Sequence, residues 1–334
     1  MTYKKMNCAC SIFGTTLSYA AGNLDFSTLE HRTDDAKAPV VYFTKDITPE
    51  GVIAAYKALG RTPTGKVAVK LSTGEKGNPH YLDPQLIKDL VQMFDSTIVE
   101  CNTAYGGARR YTADHRKLAE DHGFTGIAPV DIMDAEGEMN IPVEGGTHLK
   151  YDIVGTHLAD YDFMMVLTHF KGHPMGGFGG AMKNISIGVA SSNGKANIHT
   201  GGEVSDADGW LKDKYMANPS KEHNNFIESM AEAAKAVSDF EGKGEKMLYI
   251  SVMNHMSVDC DCVSNPAKPD MHDIGILASL DPVALDQACI DLVYAAPDSH
   301  SLRERIETRN GTLILSHAEK IGLGQRHYQF KVIE

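Results

Sequence analysis

The chain has 334 residues, 42% of them hydrophobic and 23% charged, with a formal net charge of −12. That length suits about two domains of ~150 residues or one large α/β unit, with enough core to fold without disulfides or structural metals. Acidic balance with scattered basic residues speaks against a nucleic-acid or anionic-membrane partner, and no apolar run approaches the ~20 residues of a membrane span.

At the N-terminus, Lys4 and Lys5 precede an uncharged stretch ending in Ser18-Tyr19-Ala20, the outline of an export signal. Its core holds Asn7, Ser11, Gly14, Thr15, Thr16 and Ser18, which is too polar, so a cytoplasmic location is expected and export is the lesser alternative. Residues 1–35 show little periodicity and read as a peripheral segment; residues 36–334 read as one α/β unit. Val40–Phe43 reads as a strand, and Thr48-Pro49 caps and starts a helix that Gly60 closes. Lys66–Leu71 is a second strand, followed by a helix from Asp83-Pro84 with Leu86, Ile87, Leu90 and Val91 on one face. Thr97–Cys101 is a third strand, and Thr112 is expected to cap a helix ending at His122-Gly123. Asp162–Thr168 is apolar enough for a central parallel strand. Residues 169–202 read as a glycine-rich loop. A helix over Asn225–Phe240, strands at Met247–Met253 and Ile274–Ser279, a helix from Pro282 to about Tyr294 and an edge strand at His327–Val332 complete the reading. The alternation predicts an α/β fold with a mostly parallel, doubly wound sheet, in one unit or in two lobes with the site in the crevice between them.

Ligands bind such sheets at the carboxyl ends of the strands, and two segments fall there. The first is Cys101-Asn-Thr-Ala-Tyr-Gly-Gly-Ala-Arg-Arg. Gly106 and Gly107 permit close backbone approach, and Arg109 and Arg110 suit a phosphate or carboxylate. A tight turn with solvated arginines explains it equally well. The loop Ser72–Asn78 ends the second strand on the same edge. The second segment runs from His169 to His199. Gly172, Gly176, Gly177, Gly179 and Gly180 suit an anion nest; His169, His173 and His199 offer nitrogens for a metal or for proton transfer; Lys171 and Lys183 suit an anion, and Lys183 also a nucleophile. Three histidines and a lysine in one loop after a buried strand point to a site rather than to packing alone.

Six cysteines are too few for a disulfide scaffold, and no Cys-x-x-Cys pair exists, which excludes a zinc ribbon or a local ferredoxin motif. In Asp259-Cys260-Asp261-Cys262 the two thiols share one side of an extended segment. They suit a metal, with His255 or His272 as helpers, or redox chemistry, or simply two buried thiols beside turn aspartates. Asp281-Pro282 and then Asp286 read as an N-cap and helix start; the two aspartates suit a site, and helix capping explains Asp281 at least as well.

These residues resemble the family called domain of unknown function 362, whose members are often labelled iron–sulfur-centre proteins. The resemblance runs from about Val41 through most of the chain. It is carried by Gly74-Glu-Lys-Gly-Asn, Asn102-Thr-Ala-Tyr-Gly-Gly-Ala-Arg with His115 and His122-Gly-Phe, Lys171-Gly-His-Pro-Met-Gly-Gly-Phe-Gly-Gly-Ala-Met-Lys-Asn, Asp259-Cys-Asp-Cys, and Asp273-Ile-Gly-Ile-Leu-Ala-Ser with Asp281-Pro-Val-Ala-Leu-Asp. Many relatives carry a cysteine insert after the position of His199; Gly201–Asn225 here contains no cysteine. A more distant resemblance is to the nickel-pincer-dependent lactate racemase family. It implies His173 as an acid/base, Lys183 as a covalent cofactor anchor and His199 as a nickel ligand, although one extra residue separates Gly180 from Lys183.

Three classes of function follow. The first is a metal- or cofactor-dependent isomerase or oxidoreductase. It binds an anionic, phosphate-bearing or nickel-type cofactor through Lys183, Gly176, Gly177, Gly179, Gly180, Gly106, Gly107 and Arg109, with His199 or His169 on the metal, and acts on a small hydroxy acid. The second is an iron–sulfur or thiol redox module at Cys260 and Cys262. The third is a non-catalytic carrier of a metal or small ligand.

Overall fold

Short β-branched runs alternate with amphipathic helical ones, and the backbone follows that alternation. The structure, a computed structural model, describes residues 24–212 and 223–334. The export-signal outline at Lys4–Ala20 lies outside these residues, as do Cys8 and Cys10. The strands are β1 (Val40–Thr44), β2 (Val67–Lys70), β3 (Thr97–Glu100), β4 (Val130–Ile132), β5 (Glu138–Pro142), β6 (Tyr151–Gly155), β7 (Phe163–His169), β8 (Lys171–His173), β9 (Gly177–Gly179), β10 (Met247–Met253), β11 (Gly275–Ser279) and β12 (Gln329–Val332). The helices are α1 (Pro49–Ala58), α2 (Pro84–Met93), α3 (Thr112–Asp121), α4 (Ala181–Ile185), α5 (Ser192–His199), α6 (Ala207–Lys212), α7 (His223–Phe240), α8 (Pro282–Ala295), α9 (His300–Thr308) and α10 (Leu313–Lys320).

The main sheet has the order β12-β1-β11-β10-β7-β2-β3-β4. Every neighbouring pair is parallel except the two made by β11, which runs against both β1 and β10. The expected mostly parallel, doubly wound α/β sheet is therefore present. Its central strands β7, β10 and β11 are apolar on both faces, as burial under helices on both sides requires. In β7, Phe163, Met165 and Leu167 pack with α1 and α2, while Met164 and Val166 pack on the opposite side with α4, α7, α8 and α10. The start of the described chain also packs onto this body: Leu29 is buried, and the His31 ring meets Asp291 at 3.0 Å. No helix among the described residues is long and apolar enough to cross a membrane.

Local chemistry sets the helix starts. Thr48 and Asp83 accept backbone N–H groups of α1 and α2, and Asp281 accepts those of Val283 and Ala284 in α8. Thr112 departs from expectation. It is the first residue of α3, and its hydroxyl accepts the Asn102 side-chain amide instead of capping the helix.

The larger departure is the stretch 169–202, which is not a loop. It contains the β8–β9 hairpin and helices α4 and α5. Glycine content hid them. Gly177 supplies the hairpin's left-handed residue at φ 79°, and α4 is capped from outside its own segment. Asp286 of α8 accepts the N–H groups of Ala181 at 2.7 Å and Met182 at 3.0 Å. Burial pushes the Asp286 carboxyl up to about 7, against the pull of these two hydrogen bonds. A Cβ at Gly180 would lie 2.3 Å from Asp286 Oδ1, so only glycine fits there.

Replacing Asp286 by Ala strands two buried N–H groups, and Gly180→Ala drives a methyl group into the carboxylate. Each is expected to cost about 1–3 kcal/mol, read as a lower urea midpoint with an unchanged denaturant slope. An unmoved midpoint for both variants would contradict the capping role.

Candidate functional site

From β2 the chain steps outward through β3 and β4, then returns to β7 on the other side of β2. The carboxyl ends of β2 and β7 thus flank a topological switch point, the usual ligand crevice of an open α/β sheet. A cavity of about 310 Å³ lies there, lined by strand ends, the glycine loop after β3, α4, α5 and the loop after β10. Asn184 of α4 staples the crevice. Its amide nitrogen lies 3.1 Å from the Leu167 carbonyl and 3.1 Å from Thr168 Oγ1, and its oxygen accepts Lys70 Nζ at 3.0 Å.

The walls carry an excess of positive charge. Lys70 Nζ donates to the Leu71 carbonyl at 2.6 Å and to Asn184, and Lys195 Nζ donates to the Ala190 carbonyl. Lys183 Nζ has no hydrogen bond or ion pair among the described residues. A Cβ at Gly179 would sit 3.3 Å from its Cδ, so the glycine leaves the lysine its path. None of the three lysines has a carboxylate partner among the described residues. Burial, with Arg109 and Lys70 nearby, pushes Lys183 down to about 8; burial also brings Lys70 to about 8. The two wall carboxylates are already engaged. Glu100 accepts Thr73 N and Oγ1, both at 2.6 Å, and pairs with Arg109 at 3.3 Å. Burial pushes its carboxyl up, but His115 and Arg109 outweigh that and hold it well below the usual range. Asp261 pairs with Lys171 at 2.8 Å and with His169 at 3.0 Å.

The three histidines differ in what their nitrogens face. His173 Nδ1 accepts the N–H groups of Gly176 at 2.8 Å and Met175 at 3.2 Å. In the neutral ring the proton therefore sits on Nε2. Burial, helped by Lys183, His199 and Arg305, holds its pKa well below the ordinary value. His199 is the opposite: its Nδ1–H donates to the Lys195 carbonyl at 2.6 Å, which leaves a lone pair on Nε2. Its ring stacks on Phe226 with centroids 4.6 Å apart, and burial brings its pKa to about 4. His169 has both nitrogens against acceptors, Asp261 and the Asn254 carbonyl, so neither is free for a metal.

The remaining expected residues divide. Lys183, Gly179, Gly180, His173, His199, Cys260 and Cys262 come together around the cavity. Arg109 lines it too, but is buried among Glu100, Ser72 and Tyr105, with Glu75 at 3.6 Å, so it neutralises carboxylates rather than waiting for a phosphate. Gly106 and Gly107 are not part of the lining; a Cβ on Gly107 would sit 2.8 Å from the Glu75 carboxylate, whose approach the glycine permits. Gly176 and Gly177 shape the hairpin, the former by its N–H to His173. Lys171 is paired and buried. His272 is held by Asp298, and the histidine beside the two cysteines is His173, with donor atoms of all three within 4.8 Å of one another. Cys260 and Cys262 are joined as a disulfide, and Cys101 donates its thiol to the Val189 carbonyl, with burial pushing that thiol up. Among the described residues the set offers two cysteines and one histidine, short of the four cysteines that hold an iron–sulfur cluster.

Sequence reasoning missed Lys70 and Lys195. Lys70 left a signal, a lysine closing the otherwise apolar strand Val67-Ala-Val. Lys195 left none, because its helix was not foreseen.

Family comparison agrees with the motifs. The domain of unknown function DUF362 matches residues 67–291, from β2 into α8, and the chain belongs to this family. No curated protein matches the chain. Among solved structures it is similar to the lactate racemase apoprotein from Thermoanaerobacterium thermosaccharolyticum, at 12% identity and a TM-score of 0.40, covering 75% of this chain and 56% of that one. A protein from Thermotoga maritima gives 14% identity and a TM-score of 0.38, covering 75% and 58%. The chain thus spans a little over half the length of either.

Because the folded chain protonates His199 at about 4 and the unfolded chain at about 6.5, stability is lost as pH falls between those values. Nitrogen-15 NMR should find both rings neutral at pH 7, with His173 protonated on Nε2 and His199 on Nδ1. The same tautomer on both rings would contradict the assignment.

Proposed function

We propose that this chain binds a small anionic molecule in the cavity between the carboxyl ends of β2 and β7 and moves a proton on it. The observation that carries this reading is the set of three lysines without carboxylate partners among the described residues, around one cavity that also holds two histidines in opposite tautomers. Unpaired buried charge is costly, and a bound anion offsets that cost. Lys183 and Lys70 hold the anion, with Lys195 adding to the field. His199 Nε2 takes the proton, its orientation fixed by the Lys195 carbonyl. His173 Nε2–H donates to the oxygen on which charge develops; with Nδ1 occupied, it is a donor and not the base. The volume suits a small carboxylate such as a hydroxy acid, or a single phosphate ester.

A transition metal such as nickel also fits part of the site. Among the described residues His199 Nε2 has no partner while Nδ1 is anchored on a carbonyl, the usual arrangement of a metal-bound histidine, and Lys183 Nζ has none either, which suits it to tether a cofactor. A metal there would supply Lewis-acid chemistry. The proton steps assigned above do not require it.

The wild-type chain is expected to exchange the α-proton of a small 2-hydroxy acid such as lactate with deuterated water, and His199→Ala to lose that exchange. No exchange with any member of a hydroxy- and keto-acid panel would overturn the catalytic part and leave a ligand carrier. Sulfate affinity should fall as pH rises past about 8, where Lys183 and Lys70 lose charge. Lys183→Ala should weaken it by about 10-fold or more. Calorimetric titration at two pH values checks both.

A further inference from the structure

The acid–base reading leaves the cysteine wall of the cavity unused. Cys260 and Cys262 flank Asp261, and the segment is pinned from several sides. Asp261 holds Lys171 and His169, its carbonyl accepts Glu75 N at 2.8 Å, and the Cys262 carbonyl accepts Tyr105 Oη at 3.3 Å. The fold therefore keeps the two sulfurs together whether or not they are bonded. Cys260 is buried and Cys262 half-buried, so Cys262 is the sulfur open to attack. Beside them stands His173, whose occupied Nδ1 leaves Nε2 carrying hydrogen. A ring in that state is a poor metal ligand and a good donor to a thiolate.

We infer that Cys260 and Cys262 form a redox-active pair that exchanges with a dithiol reductant at the cavity. One thiolate of the reductant attacks Cys262 Sγ. The Cys260–Cys262 bond breaks, and its electron pair leaves on Cys260 Sγ, which receives the hydrogen bond from His173 Nε2–H. The second reductant thiolate then attacks the reductant's own sulfur in the mixed disulfide and expels the Cys262 thiolate. The reductant ends as a disulfide, and the protein holds two more electrons and one more proton, with Cys262 a thiol and Cys260 a thiolate. Cys260 is the leaving group and His173 the residue that positions its charge. Resting on the anion reading, the Cys260 thiolate held by His173 adds negative charge to the wall, and reduction weakens anion binding.

The test is thiol labelling of the folded chain with a maleimide after dithiothreitol, followed by peptide mass mapping. The expected result is two new labels, on Cys260 and Cys262, with Cys101 and Cys289 labelled only after unfolding. His173→Phe should shift the reduction equilibrium toward the disulfide by about 10-fold, with Cys262→Ser as the control that cannot form the pair. Resistance to reduction until the chain unfolds overturns the inference. So does a co-purified metal that blocks labelling until it is chelated, which would make the pair a metal centre. Sulfate should bind the reduced form more weakly than the oxidised form; equal affinity overturns the coupling to the anion site even where the exchange itself stands.

Discussion

The carboxylate of Asp286 reaches from α8 to the first N–H groups of α4, and the site depends on that contact. It fixes where the glycine hairpin ends and where a five-residue helix begins, too short to persist by itself. Everything α4 carries is placed by it. Gly180 sits against the carboxylate, Asn184 ties the ends of β2 and β7 together, and Lys183 enters the cavity between them. The cap joins the second half of the sheet to the switch point of the first, so the cavity is a property of the whole fold and not of one loop.

Charge then sets this cavity apart from the rest of the chain. The chain is acidic overall, yet the carboxylates in this wall are consumed by Arg109, His169 and Lys171, while Lys70, Lys183 and Lys195 keep only carbonyl or amide partners or none among the described residues. Burial lowers Lys70 and Lys183 to about 8. The histidines add direction. Backbone groups alone set their tautomers, two N–H donors at His173 and one carbonyl at His199, so a proton donor and a proton acceptor are held ready without a carboxylate relay.

Much of the fold was legible in the sequence because its signals are local. Thr48-Pro49, Asp83-Pro84 and Asp281-Pro282 each mark a helix start by their own chemistry, and Phe163–Leu167 is apolar on both faces as a central strand must be. What escaped is what distant residues impose. No pattern within 169–202 shows that Asp286 caps a helix there, so the stretch read as loop. Arg109 read as a ligand-binding arginine because its partners Glu75 and Glu100 lie outside its own segment. Among the histidines, type and position pointed to the site, but only the partners of each nitrogen separate a committed ring (His169) from a donor (His173) and an acceptor (His199).

The central claim is that under-paired lysines hold an anion, and proton uptake on binding tests it most directly. Calorimetric titration with sulfate at pH ~8.5, slightly above the value of about 8 for Lys70 and Lys183, repeated in buffers of different ionisation heat, measures it. The account predicts binding with net proton uptake, which shrinks in Lys183→Ala and vanishes at pH ~6. Binding without proton uptake, or none at all, would contradict it.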